Sequence, residues 1–510
     1  MAVITGTSTV VSVVVIVIGI ITFFLHSRLG LGKKFTENEV FHSLKPILKD
    51  TYLEIVAELP YPPGNVAVSS GGRVFFSFHP EYDPPVKVAE LIPLELSISR
   101  DFKPFPSELM DNVVDVTSVL SLRIDHSHNR LYLLDFGFHG LKSIPALVGY
   151  QLADPTSSDS RDKFFQHHVF PASVAGVGSM LNDFQISPDG SFIIIVDTSI
   201  VAYTPAIIVY SVETQVSYRV LSGIKQLYGA SALMTIPIAP SAAFDVDNNV
   251  ESIIDAAETK SVHEETSAPT PTSSVQFPNL GPIGMKVHAD SVALSRDGET
   301  LFFGALTGDV MFGLPVEELL QVTIHSASAA TAPLGSGVVV SEEVSKNLTK
   351  TMSAVAISIG SSTHNMAAKT KFRRKPITDG LTSDLDGNIF FTACEHNSIG
   401  VLKLDRKEAD SNTNGKKRRY NFRMMNLVQS PSLLRWPDGF SFGGPAGSNG
   451  LYITNSALHL KFQHHGHKNL TEAMRAYAPF HILKVPQKLL DKYFYGAPND
   501  FSVVSKLSGQ

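Results

Sequence analysis

Leu181-Asn182-Asp183-Phe184-Gln185-Ile186-Ser187-Pro188-Asp189-Gly190-Ser191-Phe192-Ile193-Ile194-Ile195-Val196-Asp197 is the stretch whose reading decides the fold. A polar pair opens it, alternating residues follow, and a Pro-Asp-Gly turn leads into an apolar run that ends on an acid. Asp-Gly supplies the positive φ of a tight turn, and the β-branched run reads as a buried second strand. The same pattern returns at Gly64–His79, Ser121–Asp135, Asp290–Gly304, Asp379–Thr392 and Asp438–Asn455. A third strand follows most units, as at Val86–Leu91, Ile207–Tyr210, Ile399–Leu404 and Phe480–Val485. Short strands at even spacing, with no helices alternating between them, specify radial repetition. The expectation is an all-β, six-bladed β-propeller. Its ring closes where the strand at Tyr52–Leu59 completes the blade that ends at Phe480–Val485.

The wider organisation follows from composition. The propeller spans 51–487 after an apolar segment (1–30) and a linker (31–50), and a tail covers 488–510. Two insertions interrupt the cycle, at about 225–286 and 321–376. The first holds the polar, Pro-rich Glu264–Ser274, a flexible loop by composition; the second is rich in Ala and Ser and suits a short helix. The basic runs Lys371–Lys375 and Lys416–Arg419, and the cluster His464-His465-Gly466-His467, read as solvated loops. A net charge of −6 excludes the strongly basic footprint of a nucleic-acid binder. The lone Cys394 excludes an intramolecular disulfide framework and a Cys-based zinc site.

Val10 to Leu25 is apolar apart from Ser12, Gly19 and Thr22. That is long enough to cross ~30 Å of hydrocarbon. No basic residue precedes the run, as one would precede the core of a cleaved signal, so residues 9–25 read as a retained membrane anchor, with a signal peptide as the alternative. His26, Arg28, Lys33 and Lys34 follow it, a flank that favours a cytoplasmic propeller. The sequons at Asn347 and Asn469 favour the other side. The expectation adopted is a single-pass membrane protein with an extracytoplasmic propeller, secreted if the segment is cleaved.

First strands of propeller blades line the central channel, so the residues around their starts meet at one axis. Here these are Asn65, Asn182, Asp183, His288, Asp290, Asp379 and Asp438. Such an oxygen-rich mouth suits a hard divalent cation such as Ca2+, with Asn182, Asp183, Asp290 and Asp438 as candidate ligands. The same carboxylates could serve general acid/base chemistry. An Asp before Gly also satisfies a turn by bonding its own backbone, so both readings stand. The second-strand ends add His79, Asp197, Glu395, His396, Asn455 and His459, which offer adjacent proton carriers or buried, hydrogen-bonded core positions.

Several motifs, in order, resemble the royal jelly protein/Yellow family, in particular its microbial-type members. They are Pro63-Gly64-Asn65-Val66-Ala67-Val68 with Phe78-His79-Pro80, Leu181-Asn182-Asp183-Phe184-Gln185, Gly304-Ala305-Leu306-Thr307-Gly308, Asp379-Gly380-Leu381-Thr382, Glu395-His396-Asn397-Ser398-Ile399-Gly400 and Trp436-Pro437-Asp438-Gly439-Phe440. The resemblance covers roughly residues 52 to 487. It implies a six-bladed propeller, usually secreted, that holds a small amine, catechol or aromatic ligand in its channel. The fold is also similar to that of gluconolactonase/regucalcin-type lactonases, which hold a divalent metal there. The reading adopted is capture of a small amine, catechol or aromatic ligand in the channel, with metal-dependent lactone or ester hydrolysis and dopachrome-type isomerisation as the alternatives. A protein–protein scaffold is a further reading. The metal discriminates between capture and hydrolysis.

Overall fold

The computed structural model describes residues 41, 44–93, 101–107, 114–153, 161–230, 232–234, 283–325, 333, 335–354, 356–358, 375–404, 421–444, 449–462 and 468–495. The apolar N-terminal run, the cluster at His464–His467 and the basic run Lys416–Arg419 lie outside them. Among the described residues, no helix is long and apolar enough to cross a membrane.

The described chain forms six units, each with a four-stranded antiparallel core. The fifth is widened by two parallel strands, Pro46–Leu48 from the expected linker and Ala356–Ser358, which both pair with Asn421–Gln429. The first strands are Pro63–Val68, Val119–Asp125, Leu181–Ile186, Ala289–Leu294, Leu381–Ser383 and Pro437–Gly443, defining blades 1 to 6. They touch one another in that cyclic order, and blade 6 returns to blade 1. Closure occurs as the sequence implies. Glu54–Leu59 pairs antiparallel with Phe480–Val485, so a strand from before blade 1 supplies the outer edge of the last blade.

The packing explains why the second strands read as unbroken apolar runs. A strand inside a stack of sheets is buried on both faces, so period-2 alternation separates two seams instead of core from water. In Phe192–Asp197, Ile193 and Ile195 face the seam with blade 2, whereas Ile194 and Val196 face the seam with blade 4. Six apolar clusters result, one per seam. A seventh, of Val287, Leu306, Ile377, Cys394 and Trp436, covers blades 4 to 6 at the end where the inner strands start.

Two expectations are corrected. The stretch 321–376 is no simple insertion: Ser353–Ala354 pairs with Phe312–Pro315 as the outer strand of blade 4, and Gly337–Val339 extends blade 3. Helices at Val316–His325 and Glu342–Leu348 flank these strands. The tail does not begin at 488, since Leu490 and Phe494 are buried in the seam of blades 5 and 6. The first insertion is bracketed by a ribbon of Ala232–Met234 with Ile283–Met285.

Candidate functional site

Each inner strand has to turn a polar side chain toward the axis near its start, where a regular ladder would continue. Five of the six carry a register shift there, between Pro63/Val66, Val119/Ser121, Leu181/Phe184, Ala289/Ser291 and Pro437/Phe440. Four of these hold the polar Asn65, Asn182 with Asp183, Asp290 and Asp438, and the one in blade 2 holds Leu120. A bulge re-aims a side chain at the cost of ladder bonds. Hydroxyls from the neighbouring second strand take up the loosened backbone groups. Ser77 Oγ accepts from Asn65 N (3.0 Å), Thr392 Oγ1 from Asp379 N and Gly380 N (2.9 and 3.0 Å), and Thr454 Oγ1 from Gly439 N (2.8 Å). Two of these hydroxyls also tie successive blades together: Ser77 donates to Leu120 O (2.9 Å) and Thr454 to Gly64 O (2.7 Å).

The result is a small recess lined by Asn65, Arg123, Asn182, Asp183, Asp290, Asp379 and Asp438, with Leu120, Leu381 and Phe440 as its apolar wall. Six of the residues picked from sequence therefore do converge. Gly380 and Gly439 are required there by space: a Cβ on Gly380 would lie 1.7 Å from Asp438 O, and one on Gly439 would lie 2.6 Å from Asn65 Oδ1.

Charge is distributed unevenly around the ring. Arg123 Nη2 grips both oxygens of Asp183 (2.8 and 2.9 Å), and its Nε donates to Phe184 O (2.6 Å). Ser121 Oγ donates to Asp183 Oδ1 (3.0 Å) and accepts from Asn65 Nδ2 (3.1 Å). That side is neutral and satisfied. The other side holds Asp290, Asp379 and Asp438 with no guanidinium among them. Burial, then the neighbouring Asp379, pushes Asp290 well above the carboxylate range. Burial and Asp379 do the same to Asp438, and burial also raises Asp379. Asp290 and Asp379 are in hydrogen-bond contact, an approach that requires a proton between the two carboxyls. Asn182 Nδ2 and Thr198 Oγ1 (3.1 Å) donate to Asp290 Oδ1, and the Trp436 indole donates to Asp379 Oδ2 (2.5 Å).

The second-strand ends do not line the recess, and neither does His288, just before the inner strand of blade 4. His79 caps a turn, with Nδ1 accepting from Glu81 N (3.3 Å), and burial holds its pKa down at about 3. Asp197 accepts from Arg219 Nη1 and Met180 N in a buried ion pair. His288 packs between Tyr203 and Tyr228 and accepts from Gly229 N. Glu395 and His396 form a buried turn, with the His396 ring against Phe41. Asn455 donates to His481 O (3.5 Å), and His459 stacks on Trp436. All are core positions. A hydrogen-bonded strand end and a channel residue carry the same residue types, so sequence alone could not separate them.

Arg123 was missed as a site residue, although an isolated Arg inside the apolar strand Ser121-Leu-Arg-Ile is itself a signal. Lys375, assigned by sequence to a solvated run, is buried, and burial lowers its pKa to about 8.

The residues available to a metal are all oxygen donors, which suits a hard cation and no soft one. Among the described residues, no three His, Cys, Asp or Glu side chains already converge as a metal-holding group. The four named ligands are not equivalent either, because Asp183 is taken by Arg123. Asp290, Asp379 and Asp438 fit the role better.

No family model and no curated protein matches the chain, so the royal jelly/Yellow resemblance gains no support from either comparison. Solved structures do align along most of its length. Regucalcin from Agrobacterium tumefaciens, described as calcium-binding, is 11% identical over 87% of this chain and 96% of its own (TM-score 0.40). A gluconolactonase from Xanthomonas campestris is 9% identical over 83% and 91% (TM-score 0.37). A luciferin-regenerating enzyme is 9% identical over 85% and 94% (TM-score 0.40). Likeness this distant carries no chemistry across, and the class here, a six-bladed propeller with an acidic channel, rests on the strands and the recess.

Proposed function

We propose that this propeller is a divalent-cation-dependent hydrolase of a small lactone or ester, with Asp290, Asp379 and Asp438 holding the ion. One observation carries the reading. Three carboxylates from three successive blades share one recess, burial raises all three and Asp379 raises Asp290 and Asp438 further, the nearby Lys375 only partly offsets this at Asp379, and the recess's one guanidinium is committed to Asp183. Such a group favours either protons or a cation. When bound, a hard cation would polarise a carbonyl and lower the pKa of a water.

The chain's own residues have separate tasks. Asp290, held by Asn182 and Thr198, and Asp379, fixed by the Trp436 indole, share a proton in the ion-free chain, and binding of the ion would release it to solvent. Arg123 keeps Asp183 pointed inward as a polar wall. Phe440, Leu120 and Leu381 supply the apolar side against which an aliphatic or aromatic part of the substrate would pack. A second reading, capture of an organic amine, rests on the adjacency of Asp438 and Phe440, which together suit a cation on an apolar body.

The test is elemental analysis of the purified chain together with rates on a panel of lactones and aryl esters. The expected result is about one calcium-class ion per chain, with both ion and activity lost in Asp438→Asn. A protein that binds no divalent cation at millimolar concentration, yet takes up amines, would replace hydrolysis with capture.

A further inference from the structure

The end of the propeller at which the inner strands start also carries an apolar surface. Among the described residues, nine large hydrophobic side chains are notably exposed, and four of them occupy adjoining loops at this end: Leu141 (65%), Ile144 (63%), Val177 (72%) and Val201 (58%). Their position follows from register. Val119 pairs with Asp135 and Leu181 with Asp197, so the segments after Asp135 and Asp197, and the one entering Leu181, all lie at the recess end. The loops are stacked on one another: Gly178 N donates to His139 O (2.8 Å) and Ala202 N to Gly178 O (3.1 Å).

These are rigid presentations. Phe138 and His139 adopt left-handed φ of 51° and 61°, unusual for residues of that bulk, and Ser199 and Tyr203 do the same. Gly137 is needed within the turn, since a Cβ there would lie 1.9 Å from Ser143 O. Apolar side chains held in water by a strained, hydrogen-bonded scaffold mark a binding surface.

The path of the chain indicates what covers it. Phe41, fully buried, packs its ring on Phe391 (5.8 Å) and on His396 (5.1 Å), the latter in the turn after blade 5's second strand. That turn is also at the recess end, because the second strand runs toward it. The apolar run ends at Leu25, and the chain from there to Phe41 can span no more than about 55 Å fully extended. We infer that this face lies against a lipid bilayer, with Leu141, Ile144, Val177 and Val201 dipping into its interface. The recess then faces the membrane.

Cys394 is buried, so a single introduced cysteine can be labelled selectively. Full-length chain carrying Leu141→Cys, Val177→Cys or, as control, Leu385→Cys in the blade 5 turn at the opposite end would be labelled with an environment-sensitive dye and reconstituted into phosphatidylcholine vesicles. Bilayer-resident bromolipid should quench the labels at 141 and 177 at least about twofold more than the label at 385. Equal quenching at all three sites would overturn the inference, as would failure of the chain to associate with vesicles. A concentration-dependent shift at 141 without lipid would also overturn it and assign the face to a second copy of the chain. None of these outcomes depends on what the recess binds.

Discussion

Blades 1 to 3 and blades 4 to 6 contribute to the same recess in opposite ways. The first three form a continuous hydrogen-bonded chain from Asn65 through Ser121 to Asp183 and Arg123, in which every charge has a partner. The last three place Asp290, Asp379 and Asp438 together, with Gly380 and Gly439 letting the next blade's backbone come into contact. One half is a satisfied wall and the other stores electrostatic free energy. A propeller can do this because its seams, not its axis, supply the stability: six apolar clusters hold the blades together. The axis is left free for an arrangement that lowers stability on its own.

The largest expected effect attacks the close approach in blades 4 to 6. Gly380→Ala puts a methyl into the space of Asp438 O, a backbone atom that cannot move aside. It should cost about 4 kcal/mol or more in chemical unfolding, or prevent folding. A near-neutral result would mean that blades 5 and 6 are less tightly joined than the geometry requires. Next, Arg123→Met strands the Asp183 carboxylate and should cost about 3–5 kcal/mol at neutral pH. The companion Arg123→Met/Asp183→Leu, which removes both charges, should recover most of the loss. Without that recovery, blades 1 to 3 would owe their order to something other than the pair.

The acidic half should reveal itself in pH dependence. Carboxyls raised in the folded state bind more protons folded than unfolded, so their contribution is full below the unfolded value near 4 and is lost as pH rises through the folded values. His79, held neutral down to about 3, works in the opposite sense, destabilising the fold as pH falls below about 6.5. Wild type and Asp290→Asn should therefore be compared at each pH. The variant should gain on wild type as pH rises in chelator, and added calcium should erase that gain by stabilising wild type alone. Parallel pH profiles would contradict the assigned proton. The smallest effect concerns the hydroxyls. Thr454→Val removes the partner of Gly439 N and Gly64 O and should cost about 1–3 kcal/mol, read as a lowered unfolding midpoint.

Much of this molecule could be read before folding was considered. The Pro-Asp-Gly turn at Pro188–Gly190 and its counterparts place first and second strands within a residue or two. Glu54–Leu59 reads as the closing strand because a ring of sheets leaves one edge unpaired. The channel residues were legible as a set, since the start of an inner strand is a fixed place in this architecture. The outer strand of blade 4 was not, because two residues, Ser353–Ala354, carry no periodicity.

Turn geometry, strand alternation, blade number and the acids near the axis follow from local chemistry. Which of those acids has a partner depends on how the blades come together. Asp183 and Asp290 each start an inner strand and look alike in sequence. The first meets Arg123 of the preceding blade, the second meets Asp379 of the following one. Charge pairing depends on a few ångströms of approach between residues scores of positions apart, and only the closing of the ring sets that distance.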